Sequence, residues 1–297
     1  MNEGKLVILA GGISSRMKVP ANKDFVIAQE LIIDANEKSK SMIGVGKDSR
    51  PFLDYLLFNA KNAGYSKIVI VVGEKDNLIR EYYDSFKKRV EFNGIKISFA
   101  IQPIPPGRVK PLGTADALLW GLKSKLEWRG TKFTVCNSDN LYSQKALQLM
   151  LASPYVSALI DYDRSALEFD TSRIEKFSVT IKDKNGFLKD IIEKPSKEII
   201  EKVKNIYGYV GVSMNIFSLS YDQIYPVLER TPVHPERNEK ELPEAVKILA
   251  NEIKESVYAY PLAEHVPDLT SKEDIFKVRK YLEDNYSNIF SIGNKNS

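Results

Sequence analysis

Apolar residues along this chain fall into short solid runs that alternate with helical repeats. Residues 5–10 (KLVILA) are nearly all apolar, and the run stops at Gly11-Gly12; it reads as a strand buried on both faces. Residues 52–63 space their apolar positions three and four apart and meet Gly64, the mark of a helix with a glycine stop. Residues 68–72 (IVIVV) repeat the first pattern and end at Gly73. Strand, helix and strand in this order predict a right-handed βαβ unit.

The alternation continues through a strand at 95–101, a helix at 115–125 and buried strands at 133–136 and 156–160. After Ile174 the texture changes: 177–181 and 187–192 flank Asn185-Gly186, which predicts a hairpin closed by a two-residue turn. A helix at 196–204, a strand at 209–217, a helix at 242–253, a strand at 256–260 and a helix at 271–285 follow. Residues 25–35, apolar with one polar edge, predict a further helix. The expected fold is α/β, a mixed and mostly parallel sheet with helices on both faces and a small antiparallel excursion. In such sheets ligands bind beyond the carboxyl ends of the strands, which makes the residues after each apolar run the ones to question.

Composition narrows the field. Over 297 residues, 43% hydrophobic and 28% charged positions exclude disordered and fibrous classes. The net charge of +4 comes from interspersed signs, which gives no electrostatic claim on nucleic acid. A lone Cys136 excludes an internal disulfide framework and a cysteine-cluster metal site. The first apolar run is far shorter than a membrane span and lacks a cleavage pattern, so a cytoplasmic protein without a membrane partner is expected. A homo-oligomer is left open.

Three strand ends carry candidate chemistry. Leu9-Ala10-Gly11-Gly12-Ile13-Ser14-Ser15-Arg16-Met17 fits two readings, an anion cradle of backbone N–H groups, serines and a guanidinium, or a tight turn followed by a solvated arginine. Asn137-Ser138-Asp139-Asn140 offers a hard carboxylate ligand for Mg²⁺ or an Asx-turn. Glu193-Lys194-Pro195 closes the antiparallel excursion. Near the C-terminus, Thr270 or Ser271 with Glu273 or Asp274 forms a helix capping box that leaves Asp268 outside it, free to be a second metal ligand. His234 and His265 have no second histidine at ligand spacing, and Cys136 reads as a small apolar core residue.

Together these stretches resemble the sugar-1-phosphate nucleotidyltransferase family. Residues 9–17 resemble its L-A-x-G-x-G/S-T/S-R-M/L loop, and Gly113-Thr114-Ala115-Asp116-Ala117 its base-side glycine loop. Asn137-Ser138-Asp139 resembles the metal-aspartate motif, Glu193-Lys194-Pro195 is the sugar-side E-K-P, and Asp268 with 269–274 resembles W-x-D-x-x-T-P-E-D. The likeness runs in family order over nearly the whole chain. It implies one domain over 1–297, with a nucleotide-binding half at about 1–145, a sugar-binding half at about 146–270 and a C-terminal helix at about 271–290.

The implied reaction is nucleotidyl transfer from a nucleoside triphosphate to a hexose 1-phosphate, with UTP or dTTP and glucose 1-phosphate favoured. Asp139 and Asp268 would share one Mg²⁺, and Arg16 and a lysine would attend the phosphates. Lys40, before Ser49-Arg50-Pro51-Phe52, is the chosen lysine; Lys18 and Lys23 are the fallbacks, and the interval 18–39, longer than in the family, implies an insertion, helical over 25–35, that covers the site. Leu9, Ala10, Gly11, Gly12, Ser14, Ser15, Gly113 and Thr114 would bind the nucleotide. Gln102 resembles the glutamine that bonds a uracil or thymine edge, although 105–108 lengthen the path to Gly113. Glu193, Lys194 and Gly211 would bind the sugar phosphate. The family's tyrosine-glycine-valine is replaced by Phe177-Ser178-Val179. Two rival readings remain: a glycosyltransferase using Asp161-Tyr162-Asp163 for metal, and a non-catalytic nucleotide-sensing subunit.

Overall fold

The computed structural model describes residues 3–19, 28–287 and 289. Among the described residues nine strands form one sheet: β1 (Gly4–Ala10), β2 (Tyr65–Gly73), β3 (Lys96–Gln102), β4 (Lys132–Asn137), β5 (Ser157–Asp163), β6 (Val179–Lys182), β7 (Leu188–Ile192), β8 (Gly211–Ser220) and β9 (Val257–Leu262). The main path runs β3-β2-β1-β4-β8-β5-β9. Pairing is parallel except at β8, which is antiparallel to both β4 and β5. Since β8 reverses between strands that otherwise agree in direction, β1, β2, β3, β4, β5 and β9 all end on the same edge of the sheet. The β6–β7 hairpin joins β8 through Val179 and Val212. This is the mixed α/β architecture that the apolar runs predict.

Why the central runs are solidly apolar is visible in the packing. Leu6 and Ile8 of β1 enter one core, Val7 and Leu9 the other, so successive side chains are buried on opposite faces. The helices Phe52–Ala63, Gln144–Ala152 and Lys272–Tyr286 cover the first face; Thr114–Lys123, Tyr221–Arg230 and Leu242–Glu252 cover the second. The capping box forms between Ser271 and Asp274.

Two local expectations change. The β6–β7 connection is longer than two residues, because the Asp183 carboxylate accepts the N–H groups of Asn185 and Phe187 (both 2.9 Å) and stabilises a wider loop. The insertion helix is Gln29–Glu37; the part of the predicted helix at 25–27, like Lys23, lies outside the described residues. That helix delivers Ser39, Lys40 and Ser41 to the cavity described next.

Candidate active site

Leu9 of β1 stands opposite Asn137 of β4, so the loops after these two strands open side by side. Gly11 and Gly12 follow β1, Ser14 takes a left-handed backbone (φ 56°), and Ser15 heads the short turn that carries Arg16. After β4, Ser138 N–H donates to the Leu9 carbonyl (3.1 Å) and ties the two loops together. A cavity of about 310 Å³ lies at this edge. Leu9, Ala10, Gly11, Gly12, Ser14, Arg16, Lys40, Gln102, Gly113, Thr114 and Asp139 all line it. A larger cavity of about 770 Å³, between the 29–37 and C-terminal helices, contains none of the predicted site residues.

Among the candidate lysines, Lys40 reaches the centre. Its ammonium is 2.8 Å from Asp139 Oδ2, and its backbone N–H donates to Ser14 Oγ (3.2 Å). On either side, the buried hydroxyls of Ser39 and Ser41 have no hydrogen-bond partner among the described residues. Lys18 lies on an adjoining cleft.

Gln102 ends β3 and is only 2% exposed. Its Nε2 donates to the Gly113 carbonyl (2.9 Å) and to Asp116 Oδ2 (2.8 Å). Two acceptors on that side fix which end of the amide is which. Oε1 then lies over Gly11, where a Cβ would come within 2.9 Å of it. Gly113 is required where it stands: its φ is 106°, and a Cβ would meet the Lys240 carbonyl at 2.6 Å. The lengthened 105–111 segment has a place too, since Lys110 pairs with Glu239 (2.6 Å) and Arg108 Nη1 donates to Asn238 (3.1 Å). Lys110 and Glu239 also line the cavity.

Asp268 arrives from the far end of the chain. Leu269 N–H donates to the Asp139 carbonyl (2.9 Å) and Leu141 N–H to the Pro267 carbonyl (2.8 Å), an isolated antiparallel bridge between Asn140 and Asp268. Contrary to the expectation that it stands free, Asp268 is held at both oxygens. Oδ1 accepts from Thr270 Oγ1 (2.7 Å), and Oδ2 pairs with Arg173 (2.7 Å). Burial, and next the Asp139 charge, push the Asp268 carboxyl up to about 6 against the pull of Arg173. Two repelling carboxylates, each held by one cation, fit a divalent ion in chemistry: hard oxygens at a strand-end cavity suit Mg²⁺ beside phosphates.

The other predicted residues gather elsewhere. Glu193 pairs with Arg237, which also reaches Glu241 (2.5 Å). Ligand atoms of Glu193, His234 and Glu241 lie within 4.8 Å of one another, and Arg237 supplies the cation there. Lys194 is 77% exposed at its side chain, 3.6 Å from Glu236, with a left-handed backbone (φ 45°) before Pro195. Gly211 starts β8, and its lack of a side chain is explained by Asp161: a Cβ would stand 1.9 Å from Oδ1. That buried carboxylate is bound by Thr180, Lys182 and Tyr209, and Asp163 caps the next turn through Ser165 N–H (2.9 Å). The acidic pair needed by the glycosyltransferase reading is therefore engaged in structural bonds.

A family model described as nucleotidyl transferase matches residues 35–283. The chain belongs to the nucleotidyl transferase family. Two relatives are a D-glycero-alpha-D-manno-heptose 1-phosphate guanylyltransferase of Campylobacter jejuni and a UTP–glucose-1-phosphate uridylyltransferase of Haloferax volcanii. The first is 26% identical over 53% of this chain and 59% of its own length. The second is 24% identical over 64% of this chain and 65% of its own. The chain thus spans less than two thirds of either relative. In fold it is similar to a UDP-glucose pyrophosphorylase solved with UDP-glucose (TM-score 0.68, 18% identity, 95% of this chain and 99% of that one). It is likewise similar to a UTP-bound enzyme of that type from Acinetobacter baumannii (TM-score 0.65, 20% identity, 95% and 94%). No helix among the described residues is long and apolar enough to cross a membrane.

For this member of the nucleotidyl transferase family, sequence reasoning passed over Asp116, Arg173, Ser39 and Ser41. Asp116 had a signal, a carboxylate at 8% exposure among Ala115, Ala117 and Leu118. Arg173 had none, because it lies in no motif and its partners are remote in sequence.

Proposed function

We propose that the protein transfers a nucleotidyl group from a nucleoside triphosphate to a sugar 1-phosphate, releasing pyrophosphate and an NDP-sugar. The reading is carried by one observation: the glycine loop, Arg16, Lys40 and Gln102 share a cavity with Asp139, and a backbone bridge brings Asp268 to Asp139. A non-catalytic sensor has no need of two half-buried, mutually repelling carboxylates beside that cavity.

In the reaction, a phosphate oxygen of the sugar 1-phosphate attacks the α-phosphorus in line, and the bond to the β-phosphate bridging oxygen breaks. Electron density leaves with pyrophosphate, and no covalent enzyme intermediate is required. Gly11 and Gly12 offer backbone N–H groups to phosphate oxygens, and Arg16 and Lys40 offset the charge of two anions held together. Lys40 exchanges Asp139 for phosphate as the nucleotide enters. Ser39 and Ser41 support this, since their buried hydroxyls bind nothing among the described residues and phosphate oxygens would satisfy them. Asp139 and Asp268 would hold Mg²⁺, which neutralises charge on the α- and β-phosphates.

For the base, Gln102 turns its acceptor oxygen toward Gly11 and so suits the ring N–H of uracil or thymine, which supports UTP or dTTP. Glucose 1-phosphate is the proposed acceptor, with Glu193 and Lys194 on its side. The test is pyrophosphate release with UTP, dTTP, GTP, CTP and ATP against several hexose 1-phosphates. Turnover with UTP or dTTP is expected; none with any pair would overturn the reading.

A further inference from the structure

We propose that Arg173 is a positioning residue, which sets the orientation of Asp268 for a divalent cation. The inference rests on the metal role proposed for Asp139 and Asp268, and adds a residue to it.

Arg173 sits in the short helical turn Thr171–Ile174, outside every stretch that marks the site. Its guanidinium is forked between two carboxylates. Nη2 is 2.7 Å from Asp268 Oδ2, and Nη1 is 2.6 Å from Asp274 Oδ1. The guanidinium carbon lies 4.4 Å from the centre of the Phe169 ring, and the side chain is 23% exposed, so its plane is held by stacking as well as by charge. The two carboxylates differ in task. Asp274 Oδ2 accepts the N–H groups of Thr270 (2.9 Å) and Ser271 (2.7 Å) and caps the helix. Asp268 makes no such backbone bond among the described residues; its side chain is fixed by Thr270 Oγ1 and Arg173 alone.

A carboxylate rotates about two bonds, and an ion that must meet two carboxylates at once loses affinity when either is free to turn. On the Asp139 side the holder is Lys40, which lies in the cavity and is needed by phosphate. On the Asp268 side the holder lines no part of that cavity, and it stays in place through the cycle. Arg173 thus sets an angle without touching substrate.

The test measures Mn²⁺ affinity of the intact protein with UTP present, by electron paramagnetic resonance of the free ion, alongside thermal melting without metal. Arg173→Ala is expected to weaken Mn²⁺ binding about tenfold, with Arg173→Lys falling between it and the parent. Asp274→Asn removes the helix-side partner but leaves Asp268 held. It is expected to lower the melting temperature and leave Mn²⁺ affinity within twofold of the parent. Mn²⁺ affinity unchanged or tighter in Arg173→Ala overturns the proposal, as does an equal loss in Asp274→Asn, which would mark a purely structural role. Failure of the parent itself to bind Mn²⁺ overturns the metal role of the aspartates, and this assignment with it.

Discussion

The cavity beyond β1 and β4 and the region around Glu193–Gly211 were both marked by motifs, yet they are built differently. In the first, the candidate residues lie on strand ends and backbone, and neighbouring strands put Leu9 and Asn137 in register whatever their side chains do. In the second, the candidate residues sit on a hairpin exit and at the start of a reversed strand, and their neighbours claim them: Arg237 takes Glu193, and Asp161 fills the space beside Gly211. A motif made of main-chain geometry survives folding as a site, while one made of long side chains is decided by whatever packs against it.

The largest effect expected is at the cavity. Asp139→Asn should lower kcat by about 10²–10³-fold at saturating substrates while the melting temperature moves little; turnover within threefold of the parent would break the contrast. Second comes Gly211→Ala, which forces a methyl group onto the Asp161 carboxylate. A loss of about 2–3 kcal/mol of stability by chemical denaturation is expected, and a sugar-phosphate KM effect without destabilisation would return Gly211 to a binding role.

Smaller changes sharpen the comparison further. Ser41→Ala removes a hydroxyl that bonds nothing among the described residues, so the melting temperature should not fall, while the triphosphate KM should rise about fivefold. Lys194→Ala should raise the sugar-phosphate KM severalfold more than the triphosphate KM; equal rises would remove it from the sugar side.

The smallest effect is one of pH. Burial, opposed by Arg237 and reinforced by Glu193, lifts the Glu241 carboxyl to about 7. Between the ordinary carboxylate value of 4.5 and about 7, the folded chain binds more protons than the unfolded one, so this group's contribution to stability falls as pH rises through that window and is level above it. Glu241→Gln lacks that fall. Its melting temperature relative to the parent should climb from pH 4.5 to 7 and then stay constant.

Most of the sheet was legible because burial on both faces leaves little choice of residue in β1, β2 and β4. Asp268 could be found because the capping box explained its neighbours and left it over. The helices at 144–152 and 221–230 were not legible. Leu147, Leu149 and Leu151 alternate as a strand would, and Pro226 interrupts a helical repeat of Tyr221, Ile224, Val227 and Leu228. Exposed at mid-helix, the proline keeps its ring in solvent. The ion pairs of Arg173 and Arg237 were hidden for a different reason, since no local pattern encodes a partner that only tertiary folding supplies.

The two-residue tie between 139–141 and 267–269 also bears on how the protein comes into being. A nascent chain leaving the ribosome can pair β1 with β4 before Asp268, which lies far beyond Asp139 in the chain, has emerged. The second half of the proposed ion site is thus added only after the strands that carry the first half have met.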